Sequence, residues 1–150
     1  MAPLLLSVHV VMAILFVGPP AVAVSLFPRL APAAVTSPAG PAEEPDLSAA
    51  RLLHRVTRVY GTLSIAVPLA GIALAIVQGR MTEVWILAAM VLTAVAGALL
   101  ALRIIPAQRD ALDHSASPAD RRSMAMLGGI FNLLWVVVVV LMIVRPGAMY

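Results

Sequence analysis

A bundle of four transmembrane helices, all-α and with both termini on the outer side, is the fold class this sequence predicts. Three observations predict it: the composition, the spacing of the apolar blocks and the placement of the arginines. Of 150 residues, 62% are hydrophobic and 11% charged, with a mean hydropathy of +1.02. Soluble domains are roughly 45–50% apolar and about 25% charged, so both a soluble domain and a disordered chain are excluded. The apolar residues fall in four blocks, at about 4–27, 59–77, 84–105 and 124–144. Each is near the ~20 residues with which a helix crosses the hydrocarbon core. A helix is the expected form, because an isolated strand leaves its backbone groups unpaired in lipid.

The arginines set the orientation. All ten basic residues are arginine. Arg29, Arg51, Arg55 and Arg58 flank the connection between spans one and two, and Arg103, Arg109, Arg121 and Arg122 that between spans three and four. Only Arg80 and Arg145 lie on the other side. Basic residues collect in cytoplasmic loops, which puts the two long connections inside and both termini outside. Tyr60 then falls at the inner boundary, and Trp85 and Tyr150 at the outer one.

The elements follow in order within a single membrane domain. Block one contains Ala21-Val22-Ala23, a small-residue pattern like a signal-peptide cleavage site, but lacks a basic n-region and is too long; it is read as a span. Pro19-Pro20 is expected to kink it, and Pro68 to kink span two. Ser25, Thr62 and Ser64 are the nearby hydroxyls for the carbonyls so freed. Residues 28–46, with five prolines and Glu43, Glu44 and Asp46, read as an extended cytoplasmic linker. Asp46 or Ser48 then caps a short helix that enters span two. Thr82 is placed to cap span three, followed by the acidic Glu83. Ser117-Pro118-Ala119-Asp120 reads as a capping box with proline at the first helical position, so helix four starts before the membrane.

Lipid tails are as apolar as leucine, so spans associate through small residues. In span two Thr57, Gly61, Ser64, Pro68, Gly71, Ala75 and Gln78 alternate spacings of four and three and share one face. Span three has Ala89, Thr93, Gly97 and Ala101 at i+4 spacing, and span four has Ala125, Gly128, Asn132 and Trp135. These stripes read as helix-packing seams, with a ligand groove as the sharper alternative. Asn132 near mid-membrane reads as an interhelical hydrogen-bonding group.

Composition narrows the chemistry. With no cysteine, disulfides, thiolate nucleophiles, Cys-ligated zinc and iron–sulfur clusters are excluded. Without lysine there is neither Schiff-base chemistry nor a P-loop lysine. No acidic residue or arginine lies mid-span, which argues against a proton pump, a voltage sensor or an ion-coupled transporter. No nucleophile–base pair, glycine-rich phosphate loop or carboxylate pair is present. Asp113, His114 and Asp120 match no metal-ligand spacing.

His9 is the one titratable group inside a span, on a stripe with Ala13, Phe16 and Pro20. A neutral imidazole there suits an axial haem ligand, a copper ligand or a hydrogen bond to a neighbouring helix. His54 is no second ligand, because the predicted topology separates the two rings by roughly 25 Å or more. It belongs instead to a basic face with Arg51, Arg55 and Arg58, which meets anionic headgroups or an acidic partner surface.

His9 followed by Phe16-Val17-Gly18 and Pro28-Arg29-Leu30, in a four-span layout, resembles an uncharacterised family of bacterial four-helix integral membrane proteins. That family is itself similar to the CopD-type copper-resistance and HemJ-type protoporphyrinogen oxidase families. The resemblance implies a haem b with His9 as its candidate ligand. It does not carry the oxidase activity, since the lysine of the third span in HemJ-type proteins has no counterpart in this lysine-free chain.

The expected role is therefore non-enzymatic: an accessory or scaffold subunit of a complex in the bacterial cytoplasmic membrane. Its partners are expected to be the bilayer and a membrane protein or a second copy, with no nucleic acid. The alternative is a haem- or metal-linked redox or assembly protein that uses His9. A small-molecule or lipid transporter is a third class, for which Asn132, Gln78 and Ser64 would have to form a polar cavity.

Overall fold

The computed structural model describes residues 2–33 and 47–147, which are helical apart from short turns. Helix α1 spans Ala2–Leu30. The second span is divided into α2 (Leu47–Leu63) and α3 (Ala66–Val77). The third runs through α4 (Val84–Leu99), a π-helical turn (Leu100–Ile104) and α5 (Ile105–His114). Helix α6, Pro118–Val144, completes the bundle. All four rods are long and apolar enough to cross a membrane, as expected of a multi-pass membrane protein. Glu43, Glu44, Asp46 and Tyr150 lie outside the described residues.

Proline acts differently in the two kinked spans. Pro68 lacks an N–H and its ring crowds the carbonyl four residues back, that of Ser64. The helix stops at Leu63, and the Ser64 carbonyl accepts at 3.0 Å from the N–H of Val67, in the first turn of α3. Pro19, Pro20 and Pro28 instead sit inside an uninterrupted α1. The hydroxyls expected to serve freed carbonyls bond one turn back on their own helices: Ser25 donates to Ala21, Thr62 to Arg58 and Ser64 to Gly61. In the third rod the wider π turn precedes Pro106, where an α register would drive the proline ring into the Leu102 carbonyl.

Three boundaries differ from the sequence reading. Helix α1 continues past residue 27 through Pro28 to Leu30, which shortens the linker. The polar stretch after residue 105 is helical α5, not loop, because its buried face (Gln108, Ala111) packs on α2. Only Ser115–Ser117 then separate α5 from α6. Glu83, not Thr82, is the N-cap of α4, and no side chain caps it; the Glu83 carboxylate is held by Arg80 at 3.6 Å and by the Trp85 indole N–H. The Ser117 capping box is as expected: Ser117 Oγ accepts from the Asp120 N–H, and Asp120 accepts from the Ser117 N–H at 3.0 Å.

The bundle is closed at the end where the two long connections lie (the linker end). Phe27, Ala31, Ala50, Ala111, Ala116 and Met124 form one buried cluster there. The Ala116 N–H donates to the Pro32 carbonyl at 2.7 Å, and Arg121 donates to the Ala31 carbonyl. Helix α1 packs along α2, α3 and α6, and α4 packs on α6, whereas α3 and α4 meet at only a few residues. Gly128 sets the α1–α6 approach, since a Cβ there would stand 3.0 Å from the Val24 carbonyl oxygen. At Gly61 an added Cβ meets only the flexible end of the Leu100 side chain.

Two predictions follow from this packing. Gly128→Ala costs about 1–3 kcal/mol, because a backbone carbonyl cannot swing aside, and Gly61→Ala costs less; unfolding in mixed micelles measures both. Hydrogen bonds from Ser117, chiefly that of its side chain, hold Asp120 below the usual 3.8. A depressed carboxylate stabilises the fold above its unfolded pKa and loses that contribution as pH falls through the folded value. Amide protection factors (rates referred to the unstructured peptide at the same pH) in the first turn of α6 should therefore fall between about pH 5 and pH 2, and should not in Ser117→Ala.

Candidate functional site

The sparse α3–α4 contact leaves room inside the other half of the bundle, at the end that carries both termini. A cavity of ≈ 450 Å³ lies there, lined by all four rods, within the ~300–1,000 Å³ usual for small-molecule sites. Its walls are overwhelmingly apolar. Ile14, Val17, Val67 and Ile86 are typical, with His9, Gln78, Thr93, Trp135 and Arg145 as the polar exceptions.

His9 is buried, at 6% exposure. Glycine makes its place: a Cβ on Gly71 would stand 3.0 Å from the imidazole Cε1. Its Nδ1 is buried without a hydrogen-bond partner. The Trp135 indole N–H is also buried without a partner. Trp135 packs edge-on against Phe131, centroids 6.3 Å apart, and lines a second groove of ≈ 440 Å³ beside Gly61, Pro68 and Gly97. Two residues of the cavity wall thus each hold one buried polar atom without a partner among the described residues.

The mouth carries a cation. Arg145 follows α6 as its C-cap, with φ 46° in the left-handed region that favours glycine. Its guanidinium lies 5.7 Å from the centre of the Trp85 ring, and Nε donates to the Met142 carbonyl at 3.2 Å. Neither ion pair found among the described residues includes it.

Other expected sites lie elsewhere. His54 leaves the basic face: it is half-buried against α5, its Nδ1 3.2 Å from Gln108 Oε1. Gln108 Nε2 reaches Thr57 Oγ1 at 3.4 Å, and Thr57 donates to the Leu53 carbonyl at 2.9 Å. Arg51, Arg55 and Arg58 remain exposed. Asn132 does join helices, its Nδ2 donating to Ser25 Oγ at 2.8 Å and facing the Ala21 carbonyl at 3.4 Å. Gly71, Ala75 and Gly128 sit at helix contacts or on the cavity, and Ala89 is buried. Gly97 and Ala101 instead face outward, with nothing within 4 Å of a Cβ on Gly97.

The donor set does not suit a haem. A single imidazole lines the cavity, that of His9, and its ring is packed against Gly71 of α3. A macrocycle ligated by this imidazole would have to displace the ring from its place on Gly71. Among the described residues no group of three His, Asp or Glu side chains is gathered for a metal ion.

The Gly71–His9 contact can be tested. Gly71→Val forces the ring aside and destabilises by about 1–3 kcal/mol. In His9→Ala the same change should cost little, and a double-mutant cycle in mixed micelles reads the difference. In comparisons of this chain with family models, curated proteins and solved structures, nothing matches.

Proposed function

We propose that this chain is a non-enzymatic accessory protein of the bacterial cytoplasmic membrane that holds an apolar small molecule within the outer half of its bundle. The observation that carries the ligand reading is the largely apolar cavity of ≈ 450 Å³ that all four rods line where α3 parts from α4. Arginine placement supports the orientation, and with it the assignment of the cavity to the outer leaflet.

The accessory role has separate support. Gly97 and Ala101 face away from the bundle, beside the groove at the break in span two. Membrane helices approach each other through such small residues, and here no helix of the same chain covers them. The exposed Arg51, Arg55 and Arg58 supply a basic face toward headgroups or an acidic partner.

Gentle detergent purification of the tagged protein tests both parts. A small molecule should be retained in native mass spectra of the wild type and lost in His9→Ala. A membrane partner or second copy should co-purify in stoichiometric amount and fall at least tenfold in Gly97→Leu, which has room for the larger side chain within its own bundle. A wild-type chain that emerges alone and empty overturns the proposal.

A further inference from the structure

The groove beside the break in span two carries charge at one end. One wall is formed by Gly61, Thr62 and Ile65 of the second span, the other by Gly97, Ala101 and Ile105 of the third. Residues three or four apart on a helix share a face. Arg58 stands three and four residues before Gly61 and Thr62, and Arg109 four residues after Ile105, so each wall ends one turn further on in an arginine. Both arginines are exposed. Their depths agree as well, because the residues just before them, Thr57 and Gln108, touch at 3.4 Å where α2 packs on α5. The two helices run antiparallel, and a right-handed turn of about 100° from that contact carries Arg58 and Arg109 to the same side of the pair.

That depth is the headgroup layer. The rods Leu47–Val77 and Val84–His114 hold 31 residues each, about 46 Å of helix against a hydrocarbon core of ~30 Å. The short turn at 78–83 joins them at the other end, so most of the surplus projects at the linker end. Arg58 immediately precedes the apolar run of span two, and Arg109 follows that of span three by four residues.

We infer that this groove seats an anionic phospholipid of the linker-end leaflet. Its phosphate lies between Arg58 and Arg109, and an acyl chain follows Ile105, Ala101 and Gly97 toward the break. Packed helices stand about 8–10 Å apart, a distance that two arginine side chains span around one phosphate. The paired N–H groups of a guanidinium match phosphate oxygens. Arg109 also meets Asp113 at 3.8 Å, but that pair is 76% and 57% exposed, and pairs so exposed are held weakly enough for a phosphate to compete. Asp113 would accept the ammonium of phosphatidylethanolamine. Arg51 and Arg55, exposed on the same stripe of α2 as Arg58, tip the balance toward a lipid with net negative charge such as phosphatidylglycerol. The site needs neither the ligand of the His9 cavity nor a partner protein.

Native mass spectrometry of the full chain in detergent, titrated with phosphatidylglycerol or phosphatidylethanolamine of matched chains, tests the site. The wild type should bind phosphatidylglycerol at least tenfold more tightly. Arg58→Gln with Arg109→Gln should abolish that preference. Arg29→Gln with Arg122→Gln, which removes two exposed arginines from α1 and α6, should retain it. Ala101→Phe fills the groove from an exposed position on its wall and should weaken phosphatidylglycerol at least fivefold. His9→Ala should leave the preference intact, which separates this site from the cavity. Equal binding of the two lipids overturns the inference. So does an equal loss in both arginine pairs, which would mean that the basic end attracts anions without a site. Displacement of phosphatidylglycerol by glycerol phosphate, the same head without chains, assigns the arginines to a free anion and overturns the lipid. Ala101→Phe that binds as the wild type does overturns the groove. A wild type that retains a stoichiometric partner but shows no lipid preference gives the groove to a partner's helix, which likewise overturns the inference.

Discussion

Pro68 imposes the constraint on which the rest of the arrangement depends. A helix in lipid must satisfy its own backbone, and a proline within it removes one donor and displaces one carbonyl. The second span answers with a break at Ser64–Ile65, where the Ser64 carbonyl turns to Val67. Below the break α2 packs closely on α1 and α5; above it α3 keeps α1 but largely parts from α4. The bundle thus has a closed half and an open half, and the cavity is the space that the parting leaves.

Polar groups are distributed accordingly. In the closed half His54, Gln108 and Thr57 satisfy one another in a chain that ends on the Leu53 carbonyl, and α1 is fastened to the start of α6 through Pro32 and Ala31. Such a network makes one helix arrangement preferable to its neighbours. In the open half His9 and Trp135 each keep an unpaired atom on an apolar wall.

Much of this was legible in the sequence, for identifiable reasons. The four rods follow from apolar length alone, the capping box from a local motif, and the break in span two from one proline. Gly71 and Gly128 were readable as close-approach positions because only glycine admits an imidazole or a backbone carbonyl at that range. The span-three seam was not. Steps of four advance about 400° around a helix, so Ala89, Thr93, Gly97 and Ala101 drift about 40° per step, and the stripe leaves the interface by Gly97. The buried line instead passes through Ala89, Ala96, Leu100 and Ile104. His54 was placed by its arginine neighbours, but its partner Gln108 lies in a stretch that reads as polar loop and folds as α5. The cavity was invisible for a related reason: it depends on how far α3 stands from α4, a distance that no local pattern encodes.

The π turn at Leu100–Ile104 sets the angular phase between α4 and α5. One residue there is surplus to an α-helical path, and each residue of an α-helix turns the chain by about 100°. Without the surplus, Gln108 would face lipid or water, and His54 and Thr57 would lose their partner. The third span is in this sense two helices keyed to two different neighbours, α4 to α6 and α5 to α2, with a single inserted residue as the key. Shortening or lengthening the chain at this point therefore breaks the key between the two helices, although it touches no part of the cavity mouth.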